Sequence, residues 1–191
     1  MKVVIVGGVA GGATAAARLR RLDENAEIVV FEKSGYISYA NCGLPYFIGG
    51  AIEDPKALTL QTPESFDKRF NVAMKVHHEV TKINPDKKTV EVKNLTTGET
   101  FEESYDKLLL SPGARPLIPN LPGINSDRVM HLRTVEDSFR IKDYVLEHGI
   151  KNAVIVGAGF IGIELCENLT KLGINTTLVQ KAKQVMKGFD S

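Results

Sequence analysis

The stretch KVVIVGGVAGG at residues 2–12 returns as NAVIVGAGFIG at residues 152–162. In both copies a short run of β-branched residues ends in glycines, and a stretch typical of a helix follows. Each copy then leads to a second β-rich run, at residues 27–31 and 176–179. The order strand, tight turn, helix, strand predicts a parallel sheet. Because this order occurs twice, we expect an α/β fold with two Rossmann-like units.

The second copy carries the complete glycine pattern of a dinucleotide-binding turn, as Gly157, Gly159 and Gly162. The first glycine makes the turn, the second admits a pyrophosphate close to the backbone, and the third lets the helix approach the strand. The N–H groups and the dipole at the start of the helix then hold the anion. This pattern in register with two strands predicts a dinucleotide site.

The first copy departs from the pattern at Val9, which stands in place of the second glycine, although Gly11 and Gly12 keep the turn small. Glu32 follows Gly12 by 20 residues and ends the second predicted strand, where an acidic residue binds ribose hydroxyls. The alternative is an ordinary glycine-rich turn between a strand and a helix. A nucleotide site is the better interpretation.

The residues between the two copies predict different elements. Thr62 and Pro63 open a short helix that reaches Phe70. Alternating residues from about 76 to 110 predict an inserted three-stranded β-meander. Thr134 opens a further helix that Gly149 closes. The resulting division is a first nucleotide-binding domain at 1–123, a connector with a helix at 124–150, and the start of a second such domain at 151–191.

The second unit is expected to be incomplete. A dinucleotide fold needs further strands, whereas the sequence stops about ten residues after the second strand of this copy. The sequence therefore predicts the N-terminal part of a larger protein.

Composition excludes several classes of function. The 24 Lys and Arg against 23 Asp and Glu give a formal charge of +1, so no basic excess exists to neutralise nucleic acid. No apolar stretch is long enough for a signal peptide or a membrane span. Two cysteines form no disulfide framework, and no His/Cys spacing suits a metal. We expect a soluble, cytoplasmic protein without a metal.

The segment GYISYANCGLPY at residues 35–46 resembles the single-cysteine redox segment of the pyridine nucleotide–disulfide oxidoreductases. Within that family it is similar to the coenzyme A-disulfide reductases and to relatives that reduce persulfides or polysulfides. The pattern Ser-aromatic-x-x-Cys is present as Ser38, Tyr39 and Cys42. The stretch LSPGARP at residues 110–116 resembles the family's second flavin-contact motif.

The resemblance implies a flavoprotein with FAD in the first unit and NAD(P)H in the second, dimeric when complete, with Cys42 as the catalytic residue. Phe160 occupies the family position of an aromatic gate over the flavin, and Glu164 helps to place the nicotinamide. The implied cofactor-binding residues are Gly7, Val9, Ala10, Gly11, Gly12, Glu32, Lys33, Val80, Ser111, Gly113 and Arg115 for FAD, and Gly157, Gly159, Phe160, Ile161, Gly162, Glu164, Gln180 and Lys181 for NAD(P)H.

Cys42 has no partner for an internal disulfide of the Cys-x-x-x-x-Cys type, because Ile37 and Phe47 occupy the two possible positions. Its oxidised form is then a mixed disulfide or a sulfenic acid. The alternative, a buried structural cysteine, fits its polar neighbours poorly. Cys166 lies in an apolar helical run, and for this residue we predict a packing role.

The first predicted helix carries Thr14, Arg18 and Arg21 at i, i+4 and i+7, and therefore on one side. By resemblance this face contacts coenzyme A, together with Ser38, Asn41 and Arg69. The alternative is a basic face that contacts only water, and it stays open. We predict that Arg20 and Lys68 are solvated.

The sequence leaves three alternative functions open. The first is FAD-dependent reduction of coenzyme A disulfide, or of a related persulfide or polysulfide, by NAD(P)H. The second is an NADH oxidase or peroxidase that uses a sulfenic acid at Cys42. The third is a truncated, non-catalytic nucleotide-binding fragment. Because Gln180, Lys181 and Lys183 replace an acidic residue after the second strand of the second unit, we also expect NADPH to be used at least as well as NADH.

Overall fold

The first glycine-rich stretch forms a strand, a turn and a helix, in a computed structural model that describes residues 1–186. No helix in this part of the chain is long and apolar enough to cross a membrane. Short 3-10 helices at Asn41–Gly43 and Pro55–Leu58 precede and follow the second α-helix. In chain order the elements are β1 (Lys2–Val6), α1 (Ala10–Leu22), β2 (Glu27–Phe31), α2 (Leu44–Ile48), α3 (Pro63–Phe70), β3 (Ala73–Lys75), β4 (His78–Asn84), β5 (Thr89–Asn94), β6 (Thr100–Ser104), β7 (Lys107–Leu110), α4 (Val135–Glu147), β8 (Asn152–Val156), α5 (Phe160–Lys171) and β9 (Asn175–Val179).

A parallel sheet in the order β3-β2-β1-β7 forms the centre of a first compact unit, which consists of residues 1–39 and 59–114. Val4 and Ile5 of β1 and Val30 of β2 are completely buried. Parallel neighbours need a crossover, and α1 supplies the one between β1 and β2. The predicted parallel sheet of Rossmann type is confirmed.

The meander is an antiparallel sheet in the order β4-β5-β6, and its Val90 and Val92 pack in one cluster with Phe31 of β2. One part of the prediction was wrong, because the last strand of the meander does not continue to residue 110. It ends at residue 104, and β7 pairs in parallel with β1. Two hydrogen bonds between residues 104 positions apart hold the chain there: the N–H of Asp106 donates to the Lys2 carbonyl at 2.9 Å, and the Lys2 N–H donates to the Asp106 carboxylate at 2.6 Å. These bonds join the chain to the edge of β1.

Side chains cap both helices that the sequence predicted outside the repeats. The Thr62 hydroxyl accepts from the Ser65 N–H at 3.2 Å, and the Thr134 hydroxyl accepts from the Asp137 N–H at 3.3 Å. Gly149 beyond α4 has a φ of +52°, in the left-handed region that favours glycine. The predicted bounds of both helices are confirmed.

The second compact unit consists of residues 40–58 and 115–186 and contains the second copy of the glycine-rich stretch. β8 and β9 pair in parallel, with Val154 opposite Thr177, and α5 connects them. The predicted strand-helix-strand order is confirmed. The core of this unit joins α2, α4, α5, β8 and the residue before β9 through Ile48, Ile141, Leu169, Ile155 and Ile174.

Residues 40–58 leave the first unit and belong to the second, and Cys42 lies among them. No feature of the sequence predicted this grouping. The predicted division into nucleotide-binding domains at 1–123 and 151–191 stays a prediction.

Candidate functional site

The turn after β1 is shaped by glycines that no other residue replaces without strain. Gly7 has a φ of +96°, and a Cβ on it would overlap the Ser111 carbonyl oxygen. A Cβ on Gly12 would overlap the carbonyl oxygen of Gly7. The close packing of α1 on β1, and of the chain after β7 on this turn, therefore requires glycine at both positions.

The start of α1 lies directly behind this turn, at Ala10. No side chain caps the helix, and its first turn contains no acidic residue. The first N–H groups of an α-helix have no partner within the helix, and the helix dipole adds positive potential there. Together with the glycines, this end of α1 fits the pyrophosphate of a dinucleotide.

Glu32 at the end of β2 is fixed by backbone donors. Its carboxylate accepts from the Gly8 N–H at 2.7 Å and from the Ser34 N–H at 2.8 Å. A carboxylate accepts about four hydrogen bonds, so capacity remains for two hydroxyls of a ribose. The sequence missed Gly8, where a Cβ would come within 3.1 Å of both Glu32 and Ile37. The double glycine at 7–8 was the available signal.

The other residues predicted to bind the first cofactor have different environments. The Ser111 hydroxyl lies beside Gly11, 2.9 Å from the position of a Cβ on that glycine. Val80 packs against the core cluster of the meander, and the exposed Lys33 forms an ion pair of 2.8 Å with Glu79. The structure thus places Ser111 and Glu32 with the glycine turn of the first unit, whereas Val80 is part of the meander and Lys33 forms an ion pair with it.

The turn after β8 repeats the geometry of the first. Gly157 has a φ of +106°, its N–H donates to the Val179 carbonyl at 2.8 Å, and a Cβ on Gly162 would overlap the Gly157 carbonyl oxygen. A Cβ on Gly159 would meet no atom within 4 Å, so space remains beside this glycine. The second turn therefore also fits a pyrophosphate.

The side chains predicted to bind NAD(P)H near this second turn lie on α5 and after β9. Phe160 and Ile161 at the start of α5 are 60% and 50% exposed. Glu164 is half-buried one helical turn further, Gln180 follows β9, and Lys181 is exposed. The chain after β9 returns to the turn, because the Met186 N–H donates to the Ala158 carbonyl at 2.8 Å. Gln180 and Lys181 thus lie on a loop that is bonded to the glycine turn.

Cys42 lies in the 3-10 helix before α2, and its side chain is exposed and not in a disulfide. The two positions that would hold a partner cysteine, Ile37 and Phe47, are 1% and 4% exposed. Cys166 is half-buried on α5, and its sulfur lies 3.2 Å from the Thr176 hydroxyl, in agreement with the predicted packing role. No three His, Cys, Asp or Glu side chains within residues 1–186 lie together as a metal site.

Asn41, directly before Cys42, makes a contact that sequence analysis missed. The Arg133 guanidinium donates to the Asn41 side-chain oxygen at 3.1 Å, and both side chains are half-buried. Ser38 lies in the first unit, has a φ of +45°, and donates its N–H to the Gly8 carbonyl at 3.0 Å. No local pattern indicates a contact between residues that are 92 positions apart.

The structure shows the environment of the α1 residues that were predicted to contact coenzyme A. Thr14, Arg18 and Arg21 are all exposed, and no described residue of the first unit pairs with either guanidinium. Arg69, near the end of α3, is also exposed, and its guanidinium carbon lies 5.1 Å from the centre of the Phe70 ring. These arginines are therefore available to an anionic ligand.

The prediction that Arg20 is solvated was wrong. Its guanidinium donates to the carbonyl oxygens of Phe70 at 2.9 Å and Asn71 at 2.7 Å, at the end of α3. It also donates to the carbonyls of Asp23 and Glu24, after α1. The last carbonyls of a helix have no helical N–H partner, and Arg20 supplies one to the ends of two helices.

Comparison with known proteins gives a consistent result. The sequence profile of the pyridine nucleotide-disulphide oxidoreductases matches residues 1–191. The coenzyme A disulfide reductase of Staphylococcus haemolyticus is 45% identical over 189 residues, which cover 99% of this chain and 42% of that protein. The structure of reduced Bacillus anthracis CoADR-RHD is similar with a TM-score of 0.97 and 53% identity, over 99% of this chain and 34% of that one. An NAD-dependent persulfide reductase from A. fulgidus has a TM-score of 0.95 and 35% identity, over 100% of this chain and 35% of that one.

The chain spans less than half the length of each of these relatives. The resemblance inferred from the segments at residues 35–46 and 110–116 is confirmed. Because the match covers the whole sequence and the two glycine turns have the geometry that the fold requires, this chain belongs to the pyridine nucleotide-disulphide oxidoreductase family.

Proposed function

We propose that the protein is an NAD(P)H-dependent flavoprotein that reduces coenzyme A disulfide, or a related persulfide or polysulfide, through Cys42. The observation that carries this proposal is the exposed, unpaired Cys42 in a chain whose relatives are named as coenzyme A disulfide and persulfide reductases. The positions of a partner cysteine hold buried apolar residues. A lone, accessible thiol suits exchange with an external disulfide.

FAD is the cofactor that we assign to the first unit. The glycine turn and the start of α1 would hold its pyrophosphate, Glu32 its ribose hydroxyls, and Ser111 lies beside the same turn. The further residues that we assign to this site are Val9, Ala10, Lys33, Val80, Gly113 and Arg115. The chemistry that FAD supplies when bound is two-electron transfer from a reduced nicotinamide to a disulfide.

NAD(P)H is assigned to the second unit, where Gly157, Gly159 and Gly162 would hold the pyrophosphate against the start of α5. Phe160, Ile161 and Glu164 would contact the nicotinamide side. An acidic residue after β9 would repel a 2′-phosphate, whereas this chain has Gln180 and Lys181 there. We therefore propose that NADPH is used at least as well as NADH.

The reaction balances with NAD(P)H as the reductant. The Cys42 thiolate attacks one sulfur of coenzyme A disulfide, forms a mixed disulfide with one coenzyme A, and releases the other as a thiol after protonation. Two electrons from NAD(P)H then cleave the mixed disulfide. This step returns the Cys42 thiolate and releases the second coenzyme A thiol, and NAD(P)⁺ is the oxidised product.

Coenzyme A carries phosphates, and the exposed arginines suit them through charge-assisted, two-pronged hydrogen bonds. The residues that we assign to coenzyme A by resemblance to the family are Thr14, Arg18, Arg21, Ser38, Asn41 and Arg69. The support is that neither Arg18 nor Arg21 has a partner among the described residues of the first unit.

We further propose a cytoplasmic homodimer for the complete protein. The homodimer is proposed from the resemblance to the family. The location is supported by two cysteines that are both free, as is usual in reducing compartments.

The test is the Cys42→Ser variant of the complete protein. Serine forms no mixed disulfide, so reduction of coenzyme A disulfide should be lost, while reduction of the flavin by NAD(P)H should continue. Full disulfide reductase activity in Cys42→Ser would overturn the proposal. Turnover of O₂ or peroxide, with a sulfenic acid at Cys42, would assign the oxidase or peroxidase function. A protein that binds nucleotide but turns over none of these substrates would assign the non-catalytic, nucleotide-binding function.

A further inference from the structure

Arg133 and Asn41 form a contact that the proposed chemistry does not yet use. Nη1 of Arg133 donates to Oδ1 of Asn41 at 3.1 Å. Asn41 opens the 3-10 helix that carries Cys42, so Arg133 acts on the residue next to the thiol. The contact joins two segments of the second unit.

The main chain of Arg133 is held at the start of α4. Its N–H donates to the Asp137 carboxylate at 2.9 Å, and the same oxygen accepts from the Thr134 N–H at 3.0 Å. The Asp137 N–H in turn donates to the Thr134 hydroxyl. This capping box fixes the origin of the Arg133 side chain.

Arg133 and Asn41 both line a small, mostly apolar cavity of about 30 Å³, a volume that admits a single water. Both the cysteine turn and the start of α5 contribute to its walls. The lining residues are Asn41, Leu44, Pro45, Leu132, Arg133 and Ile161. The half-buried Arg133 side chain therefore belongs to the same cavity wall as Asn41.

The chemistry of the two groups determines how the Asn41 amide is oriented. A guanidinium carries donors only, so the amide atom that faces it must be the oxygen. The NH₂ group of Asn41 consequently faces away from Arg133. No described residue of the second unit accepts a hydrogen bond from it. A free pair of donors is thus held one residue from the Cys42 thiol.

We propose that Arg133 is a positioning residue for disulfide exchange at Cys42, because it fixes the Asn41 amide so that the NH₂ group donates to an amide carbonyl oxygen of the coenzyme A substrate. This inference rests on the proposed function. Without the guanidinium the amide rotates, and for part of the time it presents an oxygen that repels the carbonyl of the substrate.

The kinetic test compares two disulfides in single turnover with the reduced, cofactor-loaded protein. Coenzyme A disulfide has amide carbonyls, whereas 2-hydroxyethyl disulfide has none. Arg133→Met should lower the rate constant for coenzyme A disulfide roughly tenfold, the size of one well-formed hydrogen bond, and leave that for 2-hydroxyethyl disulfide unchanged. Arg133→Lys, which keeps a donor, should restore part of the loss. Arg140→Met, an exposed position on α4, is the matched control and should change neither rate.

The double variant with Asn41→Ala tests whether Arg133 acts through Asn41. In the Asn41→Ala background, Arg133→Met should cause no further loss for coenzyme A disulfide. Equal losses for both disulfides, or additive losses in the double variant, would overturn the proposal.

Crystal structures separate a failure of this inference from a failure of the proposed function. At a resolution that shows the amide hydrogens, we expect one orientation of the Asn41 amide in the wild type and more than one in Arg133→Met. An Asn41 amide that keeps its single orientation in Arg133→Met would refute the positioning role alone. A wild-type protein that does not react with coenzyme A disulfide would refute the proposed function, and the inference with it.

Discussion

Replacement of Arg20 by methionine removes a guanidinium that bonds the ends of two helices in the first unit. Nε and Nη2 donate to the carbonyls of Phe70 and Asn71 at the end of α3. Nη1 donates to those of Asp23 and Glu24 after α1. Methionine keeps an unbranched apolar stem of similar path. The loss is therefore mainly that of hydrogen bonds to carbonyls that have no helical partner.

The burial of these bonds sets the size of the effect. A hydrogen bond from a charged donor contributes roughly 1.5–3 kcal/mol when shielded from water, and much less when exposed. The bonds to Phe70 and Asp23 are partly buried and the other two are exposed, and the bond to Asp23 is long at 3.3 Å. We expect Arg20→Met to lower the free energy of unfolding by about 2–3 kcal/mol. Urea denaturation followed by circular dichroism should show a lower midpoint at an unchanged m-value.

The neighbouring residue provides the control. Arg21 is exposed and has no partner among the described residues of the first unit, so Arg21→Met should shift the free energy of unfolding by less than about 0.5 kcal/mol. The same variant should raise KM for coenzyme A disulfide. Equal losses of stability in the two variants, or no measurable loss in Arg20→Met, would refute the reasoning.

Three other measurements test separate parts of the structure. Gly162→Ala places a Cβ on the Gly157 carbonyl oxygen, so we expect urea denaturation to show a free energy of unfolding that is lower by about 1–3 kcal/mol. A higher free energy of unfolding, from the helix propensity of alanine, would contradict the close approach of α5 to the turn after β8. Hydrogen bonds to Glu103 and Glu27 raise the pKa of Lys2 above its ordinary 10.5. The contribution of Lys2 to the free energy of unfolding is therefore complete below pH 10.5, and it is lost as the pH rises through the higher pKa of the folded state. Lys2→Met should therefore flatten the alkaline end of the stability curve, and an unchanged curve would show that these ion pairs contribute nothing. The wild-type kcat/KM should be at least as high with NADPH as with NADH, and Lys181→Glu should lower the value for NADPH roughly tenfold. A strong preference of the wild type for NADH would contradict the proposal that the loop after β9 accepts a 2′-phosphate.

Local sequence patterns were sufficient to predict the two glycine-rich strand-turn-helix units. The roles of Gly12 and Gly162 follow from spacing alone, because each is the last glycine of a strand-turn-helix stretch, where the helix approaches the turn closely. The caps at Thr62 and Thr134 are equally local, since the partner lies three residues away. These elements were predicted with nearly correct bounds.

Long-range contacts were not predictable in this way. Strand β3 has three residues and is specified by its pairing with β2, not by its own pattern. The Leu-rich β7 was assigned to the meander because its hydrophobicity gives no information about which strand it joins. Arg20 and Arg133 bind partners 50 and 92 residues away, and no repeat or spacing indicates such a pair. The cysteine segment itself was identified from the sequence, whereas its grouping with residues 115–186 required the fold.

Mass spectrometry of the complete protein after treatment with coenzyme A disulfide tests the central claim most directly. The peptide that contains Cys42 should carry one coenzyme A, and dithiothreitol should remove it, because the adduct is a disulfide. The peptide that contains Cys166 should stay unmodified, since this half-buried sulfur contacts Thr176. A Cys42 peptide that remains a free thiol, or that carries only a sulfenic acid, would contradict the account.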